Sequence, residues 1–448
     1  MEERVCANCF RPLGPGNFCA YCGYDNSISI AEDAAPLRRF SRLRGNRYII
    51  GRVLGIGGFG ITYVAQDTFA MDRRIAIKEY YPSGIARRDI WTQQISFGNY
   101  GNEYNIGLRR FEREANMLAM LRGGRAVSVV QVYEFFYENG TGYMVMEYIE
   151  GHSLKELARA RGGRIPYDEA YYILKELLKA LETVHSEGVL HRDISPENII
   201  IQPDGGRLRL IDFGAARTAQ STGLTGNMIM LKPGFAPPEQ YDAAGNQGPW
   251  TDIYALACTF YRLVSGVRVP DARERIQGQR VPLLHLLMPE TVPEEVSNAI
   301  EKAMTLDPGG RYRSMSEFME AIGTPDAPEG NEREGLIDRV KWIFKSVAKV
   351  TVLETGKTKS LKRDDVITVG RSEGCDLITM DNAYIGRVHC RIYFDADVQA
   401  VKVECTSING IQTREGRTVN KGEAMTLYDE ETTLRLANTE SKIRVVYQ

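Results

Sequence analysis

Three residues carry the strongest chemical signal in this chain: Asp193, Asn198 five positions later, and Asp212 beyond a short apolar run. A carboxylate, a carboxamide and a second carboxylate are hard oxygen donors. On adjoining turns they can converge on a divalent cation and the phosphates it holds, which is the geometry of phosphoryl transfer. The first two lie in His191-Arg192-Asp193-Ile194-Ser195-Pro196-Glu197-Asn198, and the third opens Asp212-Phe213-Gly214. Alone, an Asp-Phe-Gly is an ordinary turn; in this order the two stretches reinforce each other. A second constellation is Cys6-x-x-Cys9 with Cys19-x-x-Cys22, joined by Pro12, Gly14, Pro15 and Gly16. Four thiolates so spaced can surround one tetrahedral Zn²⁺, the other readings being a redox pair or coincidence. So short a segment has almost no apolar core, and the metal would supply its folding energy.

Further residues fall where this chemistry needs them. Gly55-Ile56-Gly57-Gly58-Phe59-Gly60 lies between two strand-like runs, and glycines let a backbone close over phosphates without side-chain collision. The pattern by itself also fits a plain hairpin. Downstream, Ile75-Ala76-Ile77-Lys78 reads as a strand carrying a lysine, and a helix expected over 108–121 turns Glu114 inward with Phe111, Leu118 and Leu121. An inward carboxylate left alone is costly, so Glu114 either pairs with Lys78 or keeps contact with water.

Together these motifs resemble the bacterial, eukaryotic-type Ser/Thr protein kinases with an Ile-Ser-Pro-Glu-Asn catalytic loop, over 47–322. The resemblance implies ATP and Mg²⁺ (or Mn²⁺) as cofactors and protein hydroxyls as acceptors. It makes Asp193 the acceptor of the substrate proton, Asn198 and Asp212 the magnesium ligands, Lys78 the partner of the α- and β-phosphates with Glu114 behind it, and His191 a structural prop. The Gly55–Gly60 loop, with Ile56 and Phe59, then covers nucleotide. Thr62, Ala76 and Met146 would enclose adenine, with Glu147, Tyr148 and Ile149 as the hinge; Thr62 stands where valine is usual. Arg192, beside the base, calls for an anion, which a phosphate on Thr218, Ser221, Thr222 or Thr225 can supply by autophosphorylation. Glu239 pairs with Arg311 by the same resemblance, and Asp252 either anchors the catalytic loop or simply caps its helix.

One departure stands out. Two residues after the aspartate such kinases usually have a lysine, here Ser195; seven residues before the glutamate they usually have a threonine, here Lys232. The expectation is that hydroxyl and ammonium have traded places at the catalytic centre, the other reading being a solvated lysine and a tolerated serine.

Around these groups must stand the elements that position them, and 448 residues at 43% hydrophobic and 25% charged suit several cores. The net charge of −2 provides no bulk attraction to nucleic acid or anionic membrane, although a zinc ribbon can serve either protein docking or nucleic-acid binding. No run approaches the ~20 apolar residues needed to cross a bilayer, and the start lacks a signal core, so a cytoplasmic protein is expected. The remaining cysteines, Cys258, Cys375, Cys390 and Cys405, sit among apolar residues and read as packing groups. The expected organisation is a zinc ribbon over 1–27, a linker over 28–46, the kinase domain over 47–322, a linker over 323–348 and an all-β domain over 349–448. Leu336, Val340, Ile343 and Val347 keep helical spacing in the second linker, suiting a helix that packs on a neighbour or lies on a membrane surface. The insert at 80–107 has no assigned role.

The last segment alternates with period two between turn-rich loops, the pattern of a sandwich. Gly370-Arg371, Gly386-Arg387-Val388-His389 and Ser407-Ile408-Asn409-Gly410 resemble the loop motifs of forkhead-associated (FHA) domains, which bind phosphothreonine peptides. By that resemblance Arg371 holds phosphate, His389 buttresses the loops, and Asn409 binds peptide backbone, with Arg387 and Ser407 beside them. Gly386 stands where a phosphate-binding serine is normal, and a non-binding sandwich is the other reading. The fold class is therefore multidomain α+β: a four-cysteine zinc ribbon, a bilobal kinase-like domain and an all-β FHA-type sandwich. The function expected is Ser/Thr protein phosphorylation with phosphothreonine recognition; the alternative is a pseudokinase scaffold that binds nucleotide and recruits partners.

Overall fold

The computed structural model describes residues 4–14, 16–17, 19, 21–22, 24–27, 36–121, 128–202, 207–213, 231–242, 245–323, 346–362, 366–380, 382–395, 398, 400–414 and 416–447. The chain divides into two compact units, one built mainly from residues 26–336 and the other from 337–448.

The first unit begins with strands β1 (Arg42–Leu43), β2 (Tyr48–Ile56), β3 (Gly60–Asp67) and β4 (Arg73–Tyr80). A small hairpin, β5 (Arg87–Arg88) and β6 (Ile95–Ser96), precedes helix α1 (Gly101–Met120), and β7 (Val132–Glu138) and β8 (Thr141–Glu147) follow. Six of these strands form one antiparallel sheet in the order β1-β2-β3-β4-β8-β7. Helix α1 packs on it through Tyr104, Phe111, Glu114, Ala115 and Leu118, one face at helical spacing. It starts seven residues earlier than 108, because Tyr104 stacks on Phe97 (centroids 4.4 Å apart) and packs against Tyr80, lending the first turns an aromatic anchor.

The insert braces the sheet. Arg88 on β5 reaches Glu79 at 2.6 Å, and the hydroxyls of Tyr63 and Tyr143 donate to the same buried carboxylate at 2.8 and 2.7 Å. A charge removed from water survives only when paired and hydrogen-bonded, and here the partner comes from the insert. The linker expected over 28–46 is corrected in its described part: β1 pairs with β2, Leu37 and Leu43 are buried, and the Leu37 amide donates to Tyr63 Oη at 3.0 Å. Two leucines among arginines have no period to read, and backbone pairing recruits them to the sheet edge.

The helical part of this unit carries β9 (His152–Ser153), α2 (Leu154–Ala160), α3 (Tyr167–Ser186), β10 (Ile199–Ile201), β11 (Leu208–Leu210), α4 (Pro238–Tyr241) and α5 (Pro249–Ser265), with further helices to Ile322. Helix α5 is buried nearly all round and forms the centre of that core. Among the described residues no helix is long and apolar enough to cross a membrane.

The second unit is a sandwich of two sheets. One has the order β13-β12-β22-β21-β18-β19 and the other β15-β14-β16-β17-β20, with β12 (Ser346–Val352), β13 (Thr358–Lys362), β14 (Val366–Gly370), β15 (Leu377–Ile378), β16 (Cys390–Asp395), β17 (Ala400–Cys405), β18 (Ile411–Gln412), β19 (Thr418–Val419), β20 (Ala424–Leu427), β21 (Glu431–Leu436) and β22 (Lys442–Tyr447). Val350, Val352, Ile392, Val403, Leu434 and Val445 lie in the shared core, with Cys390 and Cys405 among them as packing groups. The unit's first described strand begins three residues before 349. Val347, the last position of the expected amphipathic helix, is a buried residue of β12, where the pairing with β13 shifts register between Ser346 and Ala348 and buries Val347 next to Ala348; Leu336, Val340 and Ile343 lie outside the described residues.

Candidate active site

A cleft of about 630 Å³ opens between the sheet and the helical part of the first unit. The β2–β3 turn from Gly55 to Gly60 forms one wall, with Thr62 and Ala76 beneath it and Met146, Glu147, Tyr148 and Ile149 at the rear edge. The Glu147 amide donates to Gln131 O at 2.8 Å, so the hinge's offer to a base comes from the Glu147 carbonyl and the Tyr148–Ile149 backbone. Lys78 Nζ sits 3.0 Å from Asp212 and 3.7 Å from Glu114, whose carboxylate is buried. The inward glutamate therefore pairs with the strand lysine, and both lie on the cleft.

The catalytic loop hangs from one carboxylate. Asp252 accepts from the His191 amide at 2.8 Å, the Arg192 amide at 2.7 Å and His185 Nε2 at 2.8 Å. Burial alone would raise its pKa; the His185 bond and the loop amides hold it below the ordinary aspartate range. Gly248, not Asp252, occupies the helix N-cap, so the anchoring reading is the one the geometry supports. Arg192 and Asp212 both have positive φ, +62° and +56°, a conformation that persists in non-glycine residues only where surroundings impose it. Burial pulls the Arg192 guanidinium below its usual value, and its Nε is buried with no hydrogen-bond partner among the described residues. Asn198 Nδ2 donates to Asp193 O at 2.8 Å and to Asp193 Oδ2 at 2.6 Å, which leaves its Oδ1 for a hard cation beside Asp212. His191 stacks on Phe213, centroids 4.3 Å apart, tying this loop to the next.

Ser195 and Lys232 meet: Nζ donates to Oγ at 2.8 Å. Glu239 and Arg311 form a buried two-pronged pair at 2.7 and 3.1 Å. Gly214 and the expected phosphorylation sites Thr218, Ser221, Thr222 and Thr225 lie outside the described residues. Sequence reasoning missed Arg52, Lys155 and Glu156 at the cleft edge. For Glu156 a signal existed: Ser153-x-x-Glu156 is a capping box, which the structure forms at the start of α2.

The ligand atoms of Cys6, Cys9, Cys19 and Cys22 lie within 4.8 Å of one another, as four thiolates around one Zn²⁺ require. The Asn8 amide and Asn26 Nδ2 approach Cys6 Sγ at 3.4 and 3.6 Å, donors that favour the charged sulfur. Between the first two cysteines, Ala7 O accepts from the Arg52 amide at 2.7 Å, and Asn8 Oδ1 accepts from Arg52 Nε at 2.7 Å. The first knuckle thus grips β2 just ahead of the glycine loop.

In the sandwich, Arg371, Arg387 and Asn409 are exposed on neighbouring loops. The Arg371 amide donates to Gly386 O at 3.2 Å, and Asn409 Nδ2 donates to Tyr384 O at 2.6 Å. Buried His389 receives the Gly386 amide at Nδ1 (3.1 Å) and meets Gly410 O through Nε2 at 2.8 Å. A Cβ at Gly386 would fall 2.9 Å from Val388 O and 3.3 Å from buried Ser407 Oγ, so the family's serine does not fit this loop as built.

Comparison with known proteins gives the same division. A protein kinase domain model matches residues 48–322, and an FHA domain model matches residues 367–435. The serine/threonine-protein kinase PrkC of Bacillus subtilis is 32% identical over 330 residues, covering 72% of this chain and 47% of that protein. Serine/threonine-protein kinase F of Synechocystis is 31% identical over 318 residues, covering 66% and 59%. A solved structure, the apo form of PpkA-294, superposes with a TM-score of 0.55 at 34% identity over 64% of this chain and 99% of that one. The chain spans about half the length of the curated relatives it matches. The matched residues take in both walls of the cleft, and the chain belongs to the protein kinase family.

Proposed function

We propose that this chain transfers the γ-phosphate of ATP to serine or threonine hydroxyls of proteins, its own included. The observation that carries the reading is Lys78 held at once by Glu114 and Asp212, with Asn198 on the same cleft and Asp193 accepting from its side-chain amide at 2.6 Å. A scaffold that merely binds nucleotide has no need of all five. Asn198 Oδ1 and Asp212 would hold Mg²⁺ or Mn²⁺, which neutralises charge on the phosphates; Asp193 takes the acceptor proton, and Arg192 meets a phosphate on the segment containing Thr218, Ser221, Thr222 and Thr225. The FHA loops read phosphothreonine through Arg371, with Arg387, Ser407 and Asn409 shaping the approach. Four cysteines hold a structural Zn²⁺. ATP as substrate together with thiols kept as thiols suits a cytoplasmic setting.

The test is ATP- and Mg²⁺-dependent phosphate incorporation by purified full chain. Asp193→Asn and Asp212→Asn should each lower it by about a hundredfold or more, the former with nucleotide affinity nearly intact. Incorporation by Asp193→Asn near the wild-type rate would overturn the mechanism. Metal analysis should find one zinc per chain, lost when the cysteines are changed to serine.

A further inference from the structure

The base Asp193 works beside a cation that comes from another segment. Lys232 Nζ donates to Ser195 Oγ at 2.8 Å and lies 3.5 Å from both Asp193 Oδ2 and Glu197 Oε2. Its backbone is fixed: Lys232 O accepts from the amides of Phe235 and Ala236 at 3.1 and 3.2 Å. That turn passes through Gly234 at φ +86°, where a Cβ would fall 2.5 Å from Val269 O, so the turn is set by backbone contact and admits only glycine. Ser195 is buried, whereas Lys232 lines the cleft. A solvated lysine and a tolerated serine would not share a hydrogen bond beside the base.

We propose that Lys232 is the cation that meets the phosphoryl group in flight, and that Ser195 is the positioning residue that aims it. The proposal rests on the protein kinase reading above. In the step, the acceptor hydroxyl oxygen bonds to the γ-phosphorus while the bond from that phosphorus to the β,γ-bridging oxygen breaks. The electron pair of the broken bond leaves with ADP, and the hydroxyl proton passes to Asp193. Negative charge is then spread over the three equatorial oxygens of the group in transit. Lys78 is engaged with Glu114 and Asp212. An ammonium 3.5 Å from the base stands where the new bond forms, and being in place beforehand it needs no reorganisation during the reaction. Its three donors suffice for Ser195, Asp193 and a phosphoryl oxygen together. Burial works against the Glu197 carboxylate, but its bond to Lys155 and the charge of Lys232 hold its pKa below the ordinary glutamate range. Two carboxylates thus flank the Lys232 ammonium. The compact ammonium on a flexible stem can reach in from a different segment, which a rigid guanidinium fork does less readily.

Rates of phosphate incorporation and ADP release by the full chain, with Mg·ATP affinity measured separately, decide the matter. Lys232→Met should lower kcat by about tenfold or more with nucleotide affinity changed less than about twofold. Ser195→Ala should lower it by about threefold, and Ser195→Thr, which keeps the hydroxyl, should restore it. The exchange variant Ser195→Lys with Lys232→Thr returns the cation to the loop and should recover part of the loss. That gain does not depend on Lys232→Met folding well. A merely structural lysine, one that only neutralises the two carboxylates, would be relieved by Glu197→Gln in the Lys232→Met background; such rescue would overturn the proposal, as would a Lys232→Met enzyme at full kcat. An inactive wild type would instead sink the kinase reading itself, which separates the two failures.

Discussion

His191 and His389 are both completely buried, one under the catalytic loop and the other under the FHA loops, yet they hold their loops with different atoms. His389 uses both nitrogens. Nδ1 accepts the Gly386 amide, so the proton of the neutral ring is on Nε2 and is donated to Gly410 O. It is a rivet between two loops 21 residues apart. His191 accepts the Asp193 amide at Nδ1 over a longer 3.3 Å, and its Nε2 is buried with no hydrogen-bond partner among the described residues. What it offers instead is a flat face on Phe213, tilted by 32°. One ring is specified by polarity and the other mainly by shape, although both steady loops to which the proposed function assigns phosphate.

The same substitution at both sites should therefore separate them. His389→Leu leaves the Gly386 amide without its partner, at about 1–3 kcal/mol, and takes from Gly410 O a bond worth about 0.5–1.5 kcal/mol while the Ala437 amide stays on that oxygen at 3.0 Å. The sandwich should lose about 2–4 kcal/mol by denaturant titration. His191→Leu removes one weak bond and an already unpaired nitrogen, and the kinase unit should lose about 1 kcal/mol or less. Equal losses would mean that the hydrogen-bond count is not what distinguishes the two rings.

A smaller effect is expected where the two loop systems present charge. Arg371→Ala should weaken phosphothreonine-peptide binding about tenfold to a hundredfold, the value of one charge-assisted bond of about 1.5–3 kcal/mol. Equal affinity of the unaltered domain for phosphorylated and unphosphorylated peptide would remove phosphothreonine reading altogether. Gly386→Ser adds the hydroxyl usual in the family, but its Cβ would press on Val388 O. The loop must shift, taking with it the amide that His389 receives, so affinity should change by less than about threefold while stability falls by about 1 kcal/mol. A clear gain in affinity without loss of stability would show that the loop adapts freely.

Legibility followed the same divide between local and distant causes. The cleft could be read because its groups lie in short motifs whose spacing carries the geometry; even the Ser195 and Lys232 pairing came from counting. Asp252 kept two readings, since only the fold brings it under amides 60 and 61 residues away. The Glu79–Arg88 brace was invisible for the same reason, as one of two adjacent arginines in an insert announces no partner. Residues 36–46 and Val347 were misjudged where a few apolar side chains had no period until a neighbouring strand supplied one. The start of α1 depended on aromatic contacts to Tyr80 and Phe97, which helix periodicity does not contain.

The smallest expected effect is on acid stability. Burial lowers the pKa of both imidazoles below the ordinary histidine value. At His191 the charges of Asp252, Asp193 and Asp212 oppose that shift; at His389 only the bond to Gly410 does. A histidine depressed in the folded state binds its proton more readily when unfolded, so its contribution is fully present above the ordinary pKa of about 6.5 and is lost as pH falls through that value toward the folded one. Each unit should thus weaken from about pH 6.5 downward, with a slope of at most about 1.4 kcal/mol per pH unit per ring. Asp252, held below the ordinary aspartate range, contributes above that range and loses its share only at lower pH, outside this window. Hydrogen exchange in β16 and β17, compared with α5, separates the two units between about pH 7.5 and 5.5. The slope in the strands should vanish in His389→Leu, and a slope that survives there belongs to some other group.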